Sequence, residues 1–143
     1  MLYIMNFKSF LQNYGSDTTS NFYLRDICKA LNIKCKIIMR DEIKNYLNVD
    51  NIILNLQTSL EKGSHWVLCS KKYKIYFDSY GISPVKEIGE YMSSTYQYNT
   101  LQVQDPETKI CGQLCVFVLY KLINCETFEH IILNLYNDSN NTN

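Results

Sequence analysis

The stretch LCVFVLYKL, at 114–122, constrains the fold most, because it is apolar around most of its circumference and contains no helix breaker. A helix that is apolar on all sides has to be buried among other elements. A turn at Asp105-Pro106 and the pair Cys111-Gly112 precede it, so a thiol and a glycine lie where this helix should start. Glycine within a helix costs roughly 0.5–1 kcal/mol relative to alanine. We therefore expect a core helix whose first residues serve a purpose other than helix stability.

Composition allows such a core and gives no reason to expect certain classes of partner. The chain has 143 residues, 46% of them hydrophobic, which suits one domain with its own core. Its formal net charge is zero, so there is no global electrostatic reason to expect binding to nucleic acid or to an anionic membrane. No apolar run is long enough to span a bilayer, and the N-terminus lacks the features of a signal peptide. We expect a single domain over 1–136, a disordered polar tail over 137–143 and no membrane association.

Cysteine and histidine do not form a pattern typical of disulfide scaffolds or zinc sites. The even cysteine count invites a disulfide interpretation, but the chain looks intracellular and its core is large enough to be stable without disulfide bonds. There is no CxxC pair, and His65 and His130 are far apart in the sequence. We expect reduced thiols in a reducing compartment, no metal and no cofactor. The cysteines are at positions 28, 35, 69, 111, 115 and 125.

Helical periodicity appears in two further segments. Apolar residues at i, i+3, i+4 and i+7 over 24–31 and 128–135 predict amphipathic helices, the first with Ser20 as its N-cap. Ser83-Pro84 is typical of a helix start, and we expect that helix to run to about Met92.

Short apolar segments between these helices predict strands. They read KCKIIM, NIILNL, HWVLCS and YKIYFDSY, with charged or glycine breaks between them. The segment YQYNTLQVQ predicts one more strand, ending at Gln104. The order of elements predicts an α+β fold in which a mixed sheet of about five strands packs against helices.

Cys111 is a candidate nucleophile because of its place at the start of a helix. The positive end of the helix dipole stabilises a thiolate there, and Gly112 would let another chain approach the backbone closely. The alternative is a core cysteine beside an ordinary turn, which is the commoner situation for an isolated Cys-Gly pair. We interpret Cys115, one turn further on, as such a core residue.

A thiol nucleophile needs a base, and the base needs an orienting group. His65 enters one strand and Asp78 ends the next, so antiparallel pairing of these strands could bring the two side chains together. Each also has an ordinary interpretation, as a structural histidine and as the first residue of an Asp-Ser-Tyr-Gly turn. His130 lies on the exposed half of a helix and is expected at the surface. Together His65, Asp78 and Cys111 would fill the roles of a catalytic triad.

Gln104 is a candidate donor to the oxyanion of such a reaction. It precedes Cys111 by seven residues, at the end of the predicted strand. A polar loop residue is the alternative, since Gln102 lies two residues earlier.

The motifs GSHW, YFDSYG and QDPETKICG occur in this order and resemble those of the adenain-like cysteine proteases. These comprise the adenovirus maturation protease and its relatives in virophages and Polinton-type viruses, in a clan shared with SUMO-specific proteases. The resemblance covers about 36–135, and MRDEI and IYFDSYG are most similar to the virophage and Polinton proteins. It implies a papain-like protease core with His65 as base, Asp78 as its orienting group and Cys111 as nucleophile. Gln104 and the backbone N–H of Cys111 would bind the oxyanion.

The resemblance also implies a function and a substrate. It implies a monomeric thiol endopeptidase that cleaves viral capsid precursors during virion maturation, in the virion and in the viral factory of the host cytoplasm. An activating peptide is left open as a further partner; the segment between Gly81 and Cys111 has no cysteine to tether one. The alternatives are a host-directed ubiquitin-like-protein or SUMO protease on the same fold, and an inactive scaffold that binds peptide.

Three residues are candidates for substrate binding: Trp66, Gly112 and Asn55. In the resembled clan the tryptophan after the catalytic histidine covers a narrow slot that admits glycine, which implies cleavage after small residues. Core packing is the alternative for Trp66.

Overall fold

Five strands form one mixed sheet in the computed structural model, which describes residues 5–17, 19–57 and 65–140. The strands are β1 (Lys36–Met39), β2 (Asn51–Asn55), β3 (Trp66–Ser70), β4 (Ile75–Phe77) and β5 (Gln97–Tyr98). Their order in the sheet follows the chain; β1–β2 and β4–β5 are parallel, whereas β2–β3 and β3–β4 are antiparallel. The predicted α+β class, with a five-stranded mixed sheet packed against helices, is confirmed.

Five α-helices and one 3₁₀ helix surround the sheet within the described ranges. They are α1 (Phe7–Tyr14), α2 (Asn21–Ala30), a 3₁₀ helix (Arg40–Asn45), α3 (Lys86–Met92), α4 (Cys111–Ile123) and α5 (Phe128–Asn140). Ser20 caps α2 as predicted, since its hydroxyl accepts a hydrogen bond from the Tyr23 N–H at 3.2 Å. In the described part of the chain, no helix has the length and apolar character needed to cross a membrane.

Both faces of the sheet are apolar because its strands alternate between two hydrophobic clusters. Ile53, Leu68 and Phe77 point into the larger cluster, which also contains the buried residues of α1, α2, α4 and α5. Leu54 and Val67 point into the smaller cluster, with the buried residues of α3 and the 3₁₀ helix. Helices therefore cover the sheet on both sides, which explains why its inner strands are continuous apolar runs.

Helix α4 is the core helix that the sequence predicts. Its first nine residues, 111–119, are all buried, and Cys115 has no exposed surface. Lys121, near the other end, reaches solvent and pairs with Glu126 at 3.0 Å. The helix begins at Cys111, so the thiol is indeed at the N-terminus of the most buried helix.

The structure differs from prediction in the segment before Gln104. The strand predicted to end there is short, with β5 covering only Gln97–Tyr98. From Asn99 on, the chain leaves the sheet because its hydrogen bonds go to a turn instead: the N–H groups of Val103 and Gln104 both donate to the Ser79 carbonyl, at 2.8 and 3.1 Å.

One helix and two helix boundaries also differ from the predictions. Helix α1 was not anticipated, and α3 begins at Lys86 rather than at Ser83-Pro84. Helix α5 runs to Asn140, so four residues of the tail for which disorder is expected are helical. The last three, 141–143, lie outside the described residues.

Candidate active site

His65 and Asp78 lie side by side at one edge of the sheet. The antiparallel register pairs Leu68 with Phe77, so the residue that precedes β3 and the residue that follows β4 are at the same edge. Nε2 of His65 is 2.9 Å from Oδ1 of Asp78. The predicted strand pairing therefore brings these two side chains together; Gly63 and Ser64 of the GSHW motif lie outside the described residues.

The Cys111 thiol lies against the same histidine ring. The thiol is one of the two neighbours whose hydrogen bonding and charge raise the pKa of the His65 ring, so the two side chains are adjacent. Since Nε2 is engaged with Asp78, Nδ1 is the ring nitrogen left to face the sulfur. The N-cap of α4 is Ile110, whose side chain has no polar atom to cap the helix, so the thiol occupies the position where the helix dipole favours an anion.

The ionisation of His65 is set by these two neighbours. Burial alone lowers the pKa of the ring, but the hydrogen bonds and charges of Asp78 and Cys111 outweigh it and raise the pKa from 6.5 to about 9. At neutral pH the ring is therefore a cation placed between a carboxylate and a thiol. A proton is therefore available on the histidine at neutral pH.

The sequence left two alternatives for Asp78, a contact with His65 and the first position of a turn, and Asp78 has both contacts in the structure. Its Oδ1 accepts a hydrogen bond from the Tyr80 N–H at 2.8 Å, and its carbonyl accepts one from Gly81 at 2.8 Å, which together form the Asp-Ser-Tyr-Gly turn. Gly81 has φ +71°, and a Cβ there would lie 2.5 Å from the Thr100 carbonyl oxygen, so this position requires glycine. The turn that fixes Asp78 is thus part of the site.

Asn99 holds the backbone of Asp78 from the other side. Its Oδ1 accepts from the Asp78 N–H at 3.1 Å and its Nδ2 donates to the Asp78 carbonyl at 2.7 Å. Asn99 is buried. Its side chain makes the hydrogen bonds to Asp78 that the backbone of a longer β5 would otherwise have made. Sequence reasoning missed this residue, because an asparagine within YQYNT carries no signal of a long-range contact.

Tyr80 is a second residue that sequence reasoning missed. Its ring stacks on the imidazole of His65, with centroids 4.8 Å apart and an angle of 21° between the planes. The pairing of β3 with β4 already indicates this contact. When their register is extended beyond the ends of the strands, position 80 lies opposite position 65. An aromatic face beside an imidazolium stabilises its charge.

The side chain of Gln104 is fixed at both ends of its amide. Oε1 accepts a hydrogen bond from the Ser79 hydroxyl at 2.5 Å, and Nε2 donates to the Thr108 carbonyl at 3.0 Å. An amide NH₂ carries two hydrogens, so one remains for a further acceptor. Gln102 uses its own amide differently, donating to the Gln104 carbonyl at 2.9 Å.

Gly112 is required by packing within the chain. A Cβ at this position would lie 2.7 Å from Cγ2 of Thr19 and 3.0 Å from Cδ2 of Leu24. The chain that approaches the backbone closely is therefore the start of α2 rather than a substrate. Gly112 therefore has a role in seating α2 against the helix that carries the thiol, and its role in substrate binding stays a prediction.

Trp66 and Asn55 are both buried inside the fold. They are paired in the register of β2 and β3. Trp66 is 7% exposed and belongs to the same apolar cluster as Cys111, so core packing is the role that the structure describes. Asn55 is 1% exposed, and its Oδ1 accepts a hydrogen bond from the Gln57 N–H at 3.0 Å. This bond forms an Asx turn at the end of β2.

The remaining thiols and the second histidine are separate from this site. Burial raises the pKa of Cys69 and of Cys115, which are core residues. His130 is at the surface, as predicted, with 61% of its side chain exposed and Asn134 3.0 Å away. Within 5–17, 19–57 and 65–140, no group of three or more His, Cys, Asp and Glu side chains could hold a metal ion.

A thiol at a helix N-terminus, an imidazole and a buried carboxylate thus lie next to one another around His65, an arrangement of the kind that nucleophilic acyl transfer uses. Comparisons with known proteins add no family to it: no protein-family model, no curated protein and no solved structure matches this chain.

Proposed function

We propose that this chain is a thiol endopeptidase of the adenain-like type, built on a papain-like core. The observation that supports it most is the 2.9 Å contact between Nε2 of His65 and Oδ1 of Asp78, which leaves Nδ1 of the ring for the neighbouring Cys111 thiol. A triad of this kind makes a thiol reactive toward a carbonyl carbon. The place of Cys111 at the first residue of α4 adds the helix dipole to this activation.

In the first half of the reaction the Cys111 thiolate attacks the carbonyl carbon of the scissile peptide bond. The electron pair of the carbonyl moves onto its oxygen, which accepts hydrogen bonds from Nε2 of Gln104 and from the backbone N–H of Cys111. His65 then donates its proton to the leaving nitrogen and the C–N bond breaks. The products are a thioester on Cys111 and a free amine.

Water completes the turnover. His65, now neutral, takes a proton from a water molecule that attacks the thioester carbonyl. The C–S bond breaks, the carboxylic acid leaves, and the thiolate–imidazolium pair is restored. Asp78 keeps the ring in one orientation throughout, and its own position is fixed by Asn99 and by the turn to Gly81.

An inactive peptide-binding scaffold is a weaker proposal for the same geometry. A scaffold has no need for a cationic histidine between a buried carboxylate and a thiol, and Asp78 is only 1% exposed. Burying an ionisable group costs free energy unless its partners compensate. We expect a protein to keep such a costly buried pair where the two groups take part in a reaction.

For the substrate we propose a viral capsid precursor, cleaved after a small residue. This part rests on the resemblance of GSHW, YFDSYG and QDPETKICG to the adenain-like proteases. In the resembled clan, SUMO proteases clamp a Gly-Gly tail with a second tryptophan, whereas Trp66 is the one tryptophan of this sequence, so the resemblance favours the capsid substrate.

The test is a comparison of kcat/KM on two substrates with matched variants. A capsid-derived peptide of Gly-x-Gly type should be cleaved, whereas a SUMO fusion should be cleaved far more slowly. Cys111→Ser should abolish cleavage, and Cys125→Ser, at an exposed thiol, should leave it unchanged. Faster cleavage of the SUMO fusion would favour the host-directed protease, and full activity of Cys111→Ser would overturn the proposal altogether.

A further inference from the structure

Positive charge is concentrated at the end of the sheet opposite the candidate active site. Strands β1, β2 and β4 begin at this end and β3 ends there, because Asn51 pairs with Ser70 and Ser70 pairs with Ile75. The segments at this end, 29–36, 50–51 and 70–75, contain six lysines and one acidic residue, Asp50. We call these six residues the lysine end: Lys29, Lys34, Lys36, Lys71, Lys72 and Lys74.

Most of the lysine end has no anionic partner within the chain. All of its lysines except Lys71 are exposed, and no carboxylate of the described residues forms a salt bridge with them. Lys71 is held against the fold, since its ammonium group donates to the Leu47 carbonyl and lies over the Tyr91 ring. Unpaired like charges repel one another, so an anionic partner would lower the electrostatic free energy of this surface.

A buried hydrogen-bond network ties the segments of the lysine end together. The Asn51 side chain, in a residue only 6% exposed, donates from Nδ2 to the Lys34 carbonyl at 3.5 Å and accepts from the Ser70 hydroxyl at 2.6 Å. The Ser70 hydroxyl oxygen accepts in turn from the Tyr73 N–H at 3.0 Å, in the turn between β3 and β4. The start of β1 and this turn are therefore held in one frame, so a partner meets lysines whose backbone positions are already fixed.

A groove of about 430 Å³ lies within the lysine end. It is lined by 33–36 and 49–51, which include the exposed Lys34 and Lys36. Ile33 and Val49 add aliphatic surface to the same groove. Such a groove can accept an aliphatic side chain, while the ammonium groups beside it pair with carboxylates.

The dimensions and residue types favour an extended acidic peptide over a nucleic acid. Strands lie about 4.8 Å apart, so the starts of β1 and β4 are roughly 14 Å apart, the length of about four extended residues. The segments of the lysine end contain no arginine, the residue that most often recognises bases. The described lining of the groove is aliphatic and lacks the aromatic faces on which bases stack.

We propose that the lysine end docks an extended acidic segment of a partner protein. An aliphatic side chain of that segment occupies the groove, and its carboxylates pair with Lys34, Lys36 and the lysines of the turn between β3 and β4. This surface and the pair of His65 and Asp78 lie at opposite ends of the strands, so the inference does not depend on the proposed protease activity. Salt screens the attraction between exposed charges, and the affinity should therefore fall as the ionic strength rises.

The experiment uses the full chain carrying Cys111→Ser, so that the probe is not cleaved. A fluorescein-labelled peptide of four Glu-Leu-Asp repeats is titrated with this protein, and its fluorescence anisotropy should show binding that weakens with added salt. Repeats of Gln-Leu-Asn lack the charge and should not bind, whereas repeats of Glu-Ser-Asp lack the aliphatic side chain and should bind more weakly. Absence of binding by the first peptide, or equal binding of all three, would overturn the proposal. So would tighter binding of an oligothymidylate of equal formal charge or of phosphatidylserine vesicles.

Charge-reversal variants locate the surface. Lys34→Glu with Lys36→Glu should weaken binding of the Glu-Leu-Asp peptide by about tenfold. Lys8→Glu with Lys86→Glu makes the same change in net charge at exposed positions of α1 and α3, and it should leave the affinity unchanged. Equal weakening in the two double variants would show that net charge rather than the lysine end binds the peptide, and the proposal would be wrong.

A map of the contact on the chain without these changes removes any dependence on how the variants fold. The Glu-Leu-Asp peptide should shift the NMR amide signals of 33–36, 49–51 and 70–74. Shifts confined to the neighbourhood of His65 and the start of α4 would place the peptide in the candidate active site and would contradict the inference.

Discussion

The Ser79 hydroxyl and Oε1 of Gln104 are joined by a hydrogen bond of 2.5 Å. This contact turns the Gln104 amide so that its nitrogen faces the segment leading to Cys111, where the Thr108 carbonyl accepts one of its hydrogens. Ser79 also follows Asp78 directly, so one short turn holds both the carboxylate that orients His65 and the amide proposed to bind the oxyanion. The two halves of the proposed chemistry are therefore built on the same few residues.

Changes at this contact should reduce turnover without removing the thiol. Gln104→Ala should lower kcat by roughly 10²–10³, the usual cost of one lost oxyanion donor. Ser79→Ala keeps the amide but removes its anchor, and it should lower kcat by roughly 5–10-fold, the equivalent of about 1 kcal/mol for one hydrogen bond. Steady-state kinetics on the capsid-derived peptide would measure both.

Gln102→Ala is the matched control for these two variants. It removes a hydrogen bond of 2.9 Å in the same segment but leaves the Gln104 amide in place. It should change kcat little, and thermal unfolding should show how much stability each variant has lost. Equal losses of kcat at Gln102 and Gln104 would contradict the assignment.

The raised pKa of His65 predicts a pH dependence of stability. Folding raises that pKa from 6.5 to about 9, so the folded state binds this proton more tightly than the unfolded chain. The resulting stabilisation is complete below pH 6.5 and is lost as the pH rises from 6.5 through 9. Asp78 contributes to it, and a double-mutant cycle of Asp78→Asn and His65→Gln should give a coupling free energy that falls over this range. Chemical denaturation at several pH values measures it; a coupling that grew toward pH 9 would be inconsistent with the ion pair.

Tyr80 should affect the pKa of the His65 ring. Its ring lies over the imidazole, so Tyr80→Ala should lower the pKa of His65 by about half a pH unit, in line with about 0.5–1 kcal/mol for a cation over an aromatic face. Tyr80→Phe keeps the ring and should shift the pKa much less. An NMR titration of the His65 ring protons distinguishes the two variants, and equal shifts would exclude the stacking as the cause.

Cys111 should be the cysteine that limiting iodoacetamide labels first at neutral pH. Its sulfur faces a cationic ring, whereas burial raises the pKa of Cys69 and Cys115. His65→Ala should slow this labelling, while the exposed Cys125 should react at the same rate in both proteins. Peptide mapping identifies the modified residue, and faster labelling of Cys125 than of Cys111 would contradict the prediction.

Gly112 and Gly89 form a matched pair for a stability test. Gly112→Ala places a methyl group 2.7 Å from Cγ2 of Thr19 and should destabilise the fold by about 1–3 kcal/mol. Gly89→Ala, in α3, meets nothing within 4 Å and should stabilise it by about 0.5–1 kcal/mol. Urea unfolding of both variants gives the comparison. A neutral Gly112→Ala would show that α2 is not seated against α4 as described.

The parts of the fold predictable from sequence were those with a strong local period. The apolar run of α4 and the short apolar runs of β3 and β4 reflect burial of neighbouring residues along the chain, and these elements were placed correctly. The strand expected to end at Gln104 was not, because its hydrogen bonds go to the Ser79 carbonyl, far away in the sequence. Non-local contacts of this kind leave no periodic signal.

The same distinction applies to the candidate site. The juxtaposition of His65 and Asp78 follows from antiparallel pairing, which the strand pattern predicts. Asn99 and the packing of Thr19 against Gly112 depend on three-dimensional contacts between distant segments, so sequence alone indicated neither of them.

The burial of α4 has a consequence for how this protein would lose its structure on heating. Residues 114–119 are enclosed on all sides, so their amide hydrogens should exchange with solvent only when the whole domain opens. His65 lies just before β3, outside the ladder of hydrogen bonds, whereas Asp78 is buried and held by Asn99. Heat should therefore release the His65 ring from the sulfur while the helix that carries the sulfur is still closed, so the proposed activity should be lost before the cooperative melt.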